Sequence, residues 1–158
     1  MIRYSSEVTI DRPPRAVYEA LLDPARYAEW TPMTDMAFDD DGPPRVGQRG
    51  HFRMNEGPIK GRLEMEIVEL EPDRKVSFRA THPSLDWVAV NTIVPEGSGT
   101  RLTYAGELSF RGAMRLMEPF MSGEVRRGEA AEAAKLKAML ERVGEGELAP
   151  AEAVETTA

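Results

Sequence analysis

The sequence predicts an α+β domain, a curved antiparallel sheet of about six or seven strands wrapped around one long C-terminal helix, with two short helices after the first strand. Three observations carry this prediction. Residues 2–10 alternate between apolar and polar side chains in the two-residue period of a half-buried strand. Residues 48–110 keep that period through successive runs, each closed by turn chemistry. Beyond Gly112 the apolar residues fall at helical spacing instead.

Each element has a local cause. In the first strand Ile2, Tyr4, Ser6, Val8 and Ile10 share one face, and Arg3, Ser5, Glu7 and Thr9 the other. Asp11-Arg12-Pro13-Pro14 stops that strand and opens a helix, because proline loses nothing in a first helical turn. Ala16, Val17, Ala20 and Leu21 form the apolar stripe of this helix. Asp23-Pro24 repeats the device, with Asp23 placed to cap a second short helix carrying Tyr27 and Trp30. Thr31-Pro32 ends the corner. Trp30 is expected to buttress the sheet.

The stretch Asp39-Asp40-Asp41-Gly42-Pro43-Pro44 is a charged loop between short extended pieces. Its three aspartates lack the alternating ligand pattern of a calcium loop, so a solvated turn is expected. Strands are expected over 48–56, 60–70, 75–82, 86–94 and 100–110. The turns between them are clearest at Glu71-Pro72-Asp73-Arg74 and Pro95-Glu96-Gly97-Ser98-Gly99. In the final helix Leu116, Met117, Phe120, Met121, Val125, Ala131, Leu136, Met139, Leu140 and Val143 make one stripe, which Gly144 and Gly146 are expected to end. The domain is therefore placed at residues 1–143, with residues 144–158 as a disordered tail.

Composition bounds the function. A chain of 158 residues suits one domain, and the lack of cysteine excludes disulfides, thiolate metal sites and thiol nucleophiles. No apolar run approaches the ~20 residues needed to cross a bilayer, and the opening MIRYSSEVTI has no signal-peptide pattern, so a cytoplasmic protein is expected. A net charge of −7 opposes binding to a phosphate backbone. Arg126 and Arg127 sit on a Glu-rich helix and read as a solvated face, so no nucleic-acid partner is expected.

The order of elements resembles that of the START-like, or SRPBCC, superfamily and within it the polyketide cyclase/dehydrase-like group. The resemblance spans residues 2–143 and lies in VTIDRPPRAVYEALLDPARYAEWTP, EIVELEPDRKVSF and LKAMLE. These match the family's opening strand-helix-helix segment, its central hairpin and its terminal helix. What the resemblance implies is the helix-grip fold and a cavity between the concave face of the sheet and the long helix. Carriers, aromatases and cyclases, and chaperone activators all occur in the superfamily, so fold and chemistry are argued separately.

By alternation the concave face carries Phe52, Met54, Leu63, Met65, Ile67, Val76, Phe78, Ala80, Trp87, Ala89, Asn91, Leu102, Tyr104, Gly106 and Leu108. The residues expected to line a ligand cavity are Phe52, Met54, Met65, Phe78, Trp87, Asn91 and Tyr104 from the sheet and Met117, Phe120 and Met121 from the helix. Four polar residues interrupt the apolar pattern: Ser6, His82, Asn91 and Tyr104. Asn91 faces either a ligand or bound water. Tyr104 is either a core aromatic with its hydroxyl at the rim or a ligand contact. His82 stands at a strand end, either an acid/base at the pocket mouth or part of an exposed turn. Asn91, Tyr104 and His82 are thus the catalytic candidates. Glu118 and Glu124 lie near the cavity end of the helix, where a buried carboxyl would hold its proton tightly.

His51 falls on the opposite face from His82, and no third ligand accompanies either, so no metal site and no cofactor are expected. Nucleophile elbows and phosphate loops are absent. The expected function is binding of a small hydrophobic molecule (a lipid, polyketide or other aromatic metabolite) by a monomer or homodimer acting as carrier or sensor. Two alternatives stand beside it. One is a cyclase, aromatase or dehydrase using acid/base and proximity effects, and the other is a protein-interaction domain of the chaperone-activator type.

Overall fold

Strand β1 (Ile2–Ile10) leads into helix α1 (Pro14–Leu21) and a 3₁₀ helix at Pro24–Glu29. Then come β2 (Met33–Phe38), β3 (Arg49–Met54), β4 (Gly61–Glu71), β5 (Lys75–His82), β6 (Leu85–Glu96) and β7 (Gly99–Phe110). A second 3₁₀ helix, Gly112–Met117, runs into α2 (Glu118–Glu155). This computed structural model describes the backbone of residues 1–155 and the side chains of residues 1–146.

The seven strands form one sheet in the order β1-β7-β6-β5-β4-β3-β2, and each neighbouring pair is antiparallel. Consecutive strands from β2 to β7 are neighbours, as expected of a meander, and β1 closes on β7 at the far edge. Register shifts between Ile67 and Glu69 in β4 and between Thr34 and Ala37 in β2 add residues to one strand of a pair. Such bulges bend the sheet and give it a concave face.

Start signals at the front act as the sequence indicates. Pro14 opens α1, which buries Val17, Ala20 and Leu21. Asp23 Oδ1 accepts from the Ala25 amide at 3.2 Å and caps the short helix, which is 3₁₀ rather than α. Trp30, 1% exposed, packs on Tyr27 with ring centroids 4.7 Å apart and meets Tyr104 edge-on at 6.0 Å. In the acidic loop Asp40 accepts from both guanidinium nitrogens of Arg45 and from the Gly42 amide, which holds its carboxyl well below the usual carboxylate range.

Polar contacts fasten α2 along β1. Arg126 Nε donates to the Arg3 carbonyl at 2.9 Å, Lys137 Nζ to the Thr9 carbonyl at 2.6 Å, and Arg12 Nη1 to the Leu140 carbonyl at 3.1 Å. The C-terminal half of the helix then buries Ala133, Leu136, Met139 and Leu140 against the core. With the helix held to one side of the sheet, its N-terminal half stands over β3, β4 and β6 without filling the space beneath.

The helix departs from expectation in three places. It runs on through Gly144 and Gly146, since glycine costs a helix interior only about 1 kcal/mol and does not by itself stop it. Ala131 is exposed and Ala133 is the buried alanine. The first turns are 3₁₀, with three residues per turn, so the apolar stripe extrapolated backwards at 3.6 residues per turn loses phase before Glu118. The expected tail falls mainly on residues 147–158, whose side chains lie outside the described residues.

Candidate functional site

Among the described residues, two spaces on the concave side of the sheet share Trp87 in their lining. The larger, about 530 Å³, is bounded by β3, β4, β6 and β7 below, by the 56–59 segment at one side and by α2 above. That volume falls among pockets that take whole small molecules. Met54, Leu63, Leu85, Trp87, Leu108 and Phe110 supply its apolar floor, and Met121 and Val125 its roof. The smaller space, about 40 Å³, lies among Phe52, Met65, Phe78, Asn91 and Tyr104 and has room for a few waters at most.

At the inner wall of the larger cavity stand Glu129 and Glu132, each only 8% exposed. They share a helix face with Val125 and Leu136 by i, i+3 and i+4 spacing, so carboxyls occupy core-facing positions of α2. Tyr104 Oη donates to Glu132 Oε2 at 2.9 Å. Trp87 Nε1 donates to Tyr4 Oη at 2.9 Å, and the Tyr4 and Tyr104 hydroxyls both act on Glu129. Glu129 Oε2 has no hydrogen-bond partner among the described residues.

Burial pushes both carboxyls up from the ordinary glutamate value, and the neighbouring Glu132 charge pushes Glu129 further. The tyrosine hydroxyls work against this on Glu129, as do Tyr104 and Lys135 on Glu132. Both tyrosines are raised in turn, first by burial and then by the adjacent carboxyl charge. Two carboxyls this close in a low-dielectric space retain a proton between them near neutrality.

Gly106 sets the position of Tyr4. The two are paired across β1 and β7, and a Cβ at Gly106 would stand 2.6 Å from both Tyr4 Cζ and the Val88 carbonyl oxygen. Only glycine lets the Tyr4 ring lie across β7 and bring its hydroxyl to Trp87.

The residues singled out in the sequence divide as follows. Met54, Trp87 and Met121 line the larger cavity, and Phe52, Met65, Phe78, Asn91 and Tyr104 line the smaller one beside it. Asn91 is 2% exposed; its Nδ2 donates to the Val76 carbonyl at 3.3 Å while Oδ1 has no partner among the described residues. Met117 and Phe120 lie elsewhere, 48% and 81% exposed on the outer surface: Met117 ends the 3₁₀ segment, and Phe120, within α2, stands half a helical rotation from the face that carries Glu129. His82 lines neither space; its Nδ1 accepts from the Ser84 amide at 3.1 Å in the turn between β5 and β6.

Glu118 is not a cavity carboxyl. It accepts from the N-terminal ammonium at 2.6 Å and from the Phe110 amide at 2.7 Å, which lower its pKa. Glu124 lines the cavity at an exposed position. The carboxyls of this helix that burial raises are instead Glu129 and Glu132, one to four turns further on. Their signal was present as two glutamates set into the run Met121, Val125, Leu136, Met139 and Leu140 at core spacing.

The comparisons with known proteins agree with this architecture. Residues 1–141 match the family described as polyketide cyclase / dehydrase and lipid transport, and the chain belongs to that family. No curated protein matches the sequence. Among solved structures, the Zhui aromatase/cyclase from Streptomyces sp. R1128 superposes with a TM-score of 0.71 at 16% identity, over 89% of this chain and 93% of that one. Protein MLL2253 from Mesorhizobium loti superposes with a TM-score of 0.65 at 25% identity, over 89% and 97% of the two chains. The Aha1 dimer from Colwellia psychrerythraea gives 0.64 at 17% identity, over 89% and 97%. The fold is therefore the helix-grip fold with a ligand-sized cavity. Among the described residues no helix is long and apolar enough to cross a membrane, and no group of His, Cys, Asp or Glu is placed to hold a metal ion.

Proposed function

We propose that this protein binds a small, mostly apolar molecule between α2 and the sheet, as a carrier or sensor of a lipid, polyketide or other aromatic metabolite. The observation that carries the reading is the cavity of about 530 Å³, apolar along its floor and roof and ending on two buried carboxyls. A space of that size and lining gains free energy when an apolar molecule replaces water. Family membership supports the same reading.

The test is a fluorescence titration with the apolar probe N-phenyl-1-naphthylamine. The parent is expected to bind it saturably at one site, and Met121→Trp, which fills the roof of the cavity, to lose that binding. Equal binding by both proteins, or none by the parent, would overturn the reading.

A second reading is enzymatic, and the Tyr104–Glu132 hydrogen bond beside Glu129 favours it. A carboxyl that holds its proton near neutrality can protonate a carbonyl oxygen, and its ionised neighbour can take a proton from an adjacent carbon. Such a pair suits the cyclisation or dehydration of a poly-keto chain. Turnover of a poly-β-keto thioester that is lost in Glu132→Gln while probe binding persists would establish the enzyme; binding without turnover leaves the carrier.

A further inference from the structure

We propose that the inner end of the cavity recognises a positively charged nitrogen, so that the molecule held is a lipophilic amine whose ammonium group rests against Glu129 and Glu132. This deepens the ligand-binding reading above and rests on it.

The first observation is the sign of the lining. Among the described residues four ionisable ones border the larger cavity, Glu56, Glu124, Glu129 and Glu132, and all are acidic. No lysine, arginine or histidine is among the described lining residues. Glu56 and Glu124 are exposed and Glu129 and Glu132 are buried, so acidic groups extend from the surface inward. Low-dielectric walls focus such a field and draw in cations.

The second observation is independent of charge counting. Glu129 lines the cavity, and its buried Oε2 has no hydrogen-bond partner among the described residues, although leaving a buried carboxyl oxygen unmet is costly. The groups facing the pair are Tyr4 from β1, Tyr104 from β7, Tyr27 from the first 3₁₀ helix, and Lys135 on α2 itself. The tyrosines supply hydroxyls but no charge, and Lys135 is an exposed residue that acts on Glu132. A donor arriving through the cavity is the partner that Oε2 lacks.

The class of donor follows from the charge. In the empty cavity a proton neutralises part of the carboxyl pair. An ammonium group replaces that proton, supplying both the positive charge and the N–H bond to Oε2, and the displaced proton leaves to solvent. An alcohol supplies the hydrogen bond without the charge. A carboxylic acid brings a third negative charge to the same place.

Titration calorimetry with decylamine, decanol and decanoic acid at pH 7, in two buffers of different ionisation enthalpy, tests the proposal. Decylamine is expected to bind about tenfold or more tightly than decanol, with decanoic acid weakest and with net proton release on amine binding. In Glu129→Gln, the preference for decylamine is expected to collapse while decanol still binds; if that variant does not fold, Glu132→Gln serves in its place. Decanol binding as tightly as decylamine to the parent, or an amine preference unchanged in the glutamine variant, would overturn the inference and leave the cavity reading intact. Failure of all three probes while N-phenyl-1-naphthylamine binds also overturns it. Failure of that dye as well would overturn the cavity reading itself.

Discussion

The hydroxyl of Tyr104 donates to Glu132 Oε2 at 2.9 Å, joining the middle of β7 to α2 in a space closed to solvent. Both partners need the contact. The Tyr104 hydroxyl also acts on Glu129, and Glu132 has no cation within ion-pairing distance among the described residues. The bond therefore supports the fold and tunes the carboxyl at once.

Tyr104→Phe removes the hydroxyl and leaves Glu132 buried without its donor. A loss of about 1–2 kcal/mol of stability is expected, read from the denaturant midpoint at pH 7. The Glu132 pKa is expected to move further up, because the hydroxyl that lowers it has gone.

Stability is expected to fall as pH rises. Glu129 is raised from 4.5 to about 9 and Glu132 to about 7, so the folded protein binds protons that the unfolded chain has released. A raised carboxyl contributes stability that is full below the unfolded value near 4.5 and is lost as pH climbs through the folded values. Asp40 and Asp86 are lowered and work oppositely, losing their contribution only as pH falls below about 4. Thermal melts from pH 5 to 9 check the sign. Glu129→Gln is expected to flatten the decline and to be the more stable protein at pH 8 by more than about 1 kcal/mol.

Gly106→Ala places a methyl group against the Tyr4 ring and the Val88 carbonyl. Backbone and a packed aromatic ring both resist, so a cost of about 1–3 kcal/mol is expected. Near-ultraviolet circular dichroism is expected to change with it, because Tyr4 carries the hydrogen bond from Trp87.

Two substitutions on α2, one outside the cavity and one in its roof, test the phase of the helix. Phe120→Ala is expected to leave both stability, within about 0.5 kcal/mol, and probe binding unchanged, since the ring is 81% exposed. Val125→Trp, from the roof, is expected to block the probe. The reverse pattern would restore the orientation expected from the sequence alone.

Much of the architecture was legible because local rules and packing agree. Alternation placed Trp87, Asn91 and Tyr104 on the concave face, and the Asp23 cap and Pro14 start fixed the helical corner. The cavity floor followed from the same two-residue period. Met121 of the roof followed from the helical spacing, but the placing of Met117 did not, because the 3₁₀ segment Gly112–Met117 changes the helical phase and no residue type in it announces the change. Glu129 and Glu132 were passed over for a different reason. Glutamate in a helix is ordinarily a surface residue, and its place in the stripe becomes meaningful only when Tyr4 and Tyr104, more than a hundred and about thirty positions distant, are seen to face it.

The central claim is that the space between α2 and the sheet is a binding site, and native mass spectrometry of the protein purified without detergent tests it most directly. A defined additional mass that disappears on denaturation, and is missing from Met121→Trp purified in the same way, is the predicted result. An unadorned protein mass that stays so after incubation with lipid, polyketide and amine probes would contradict the account.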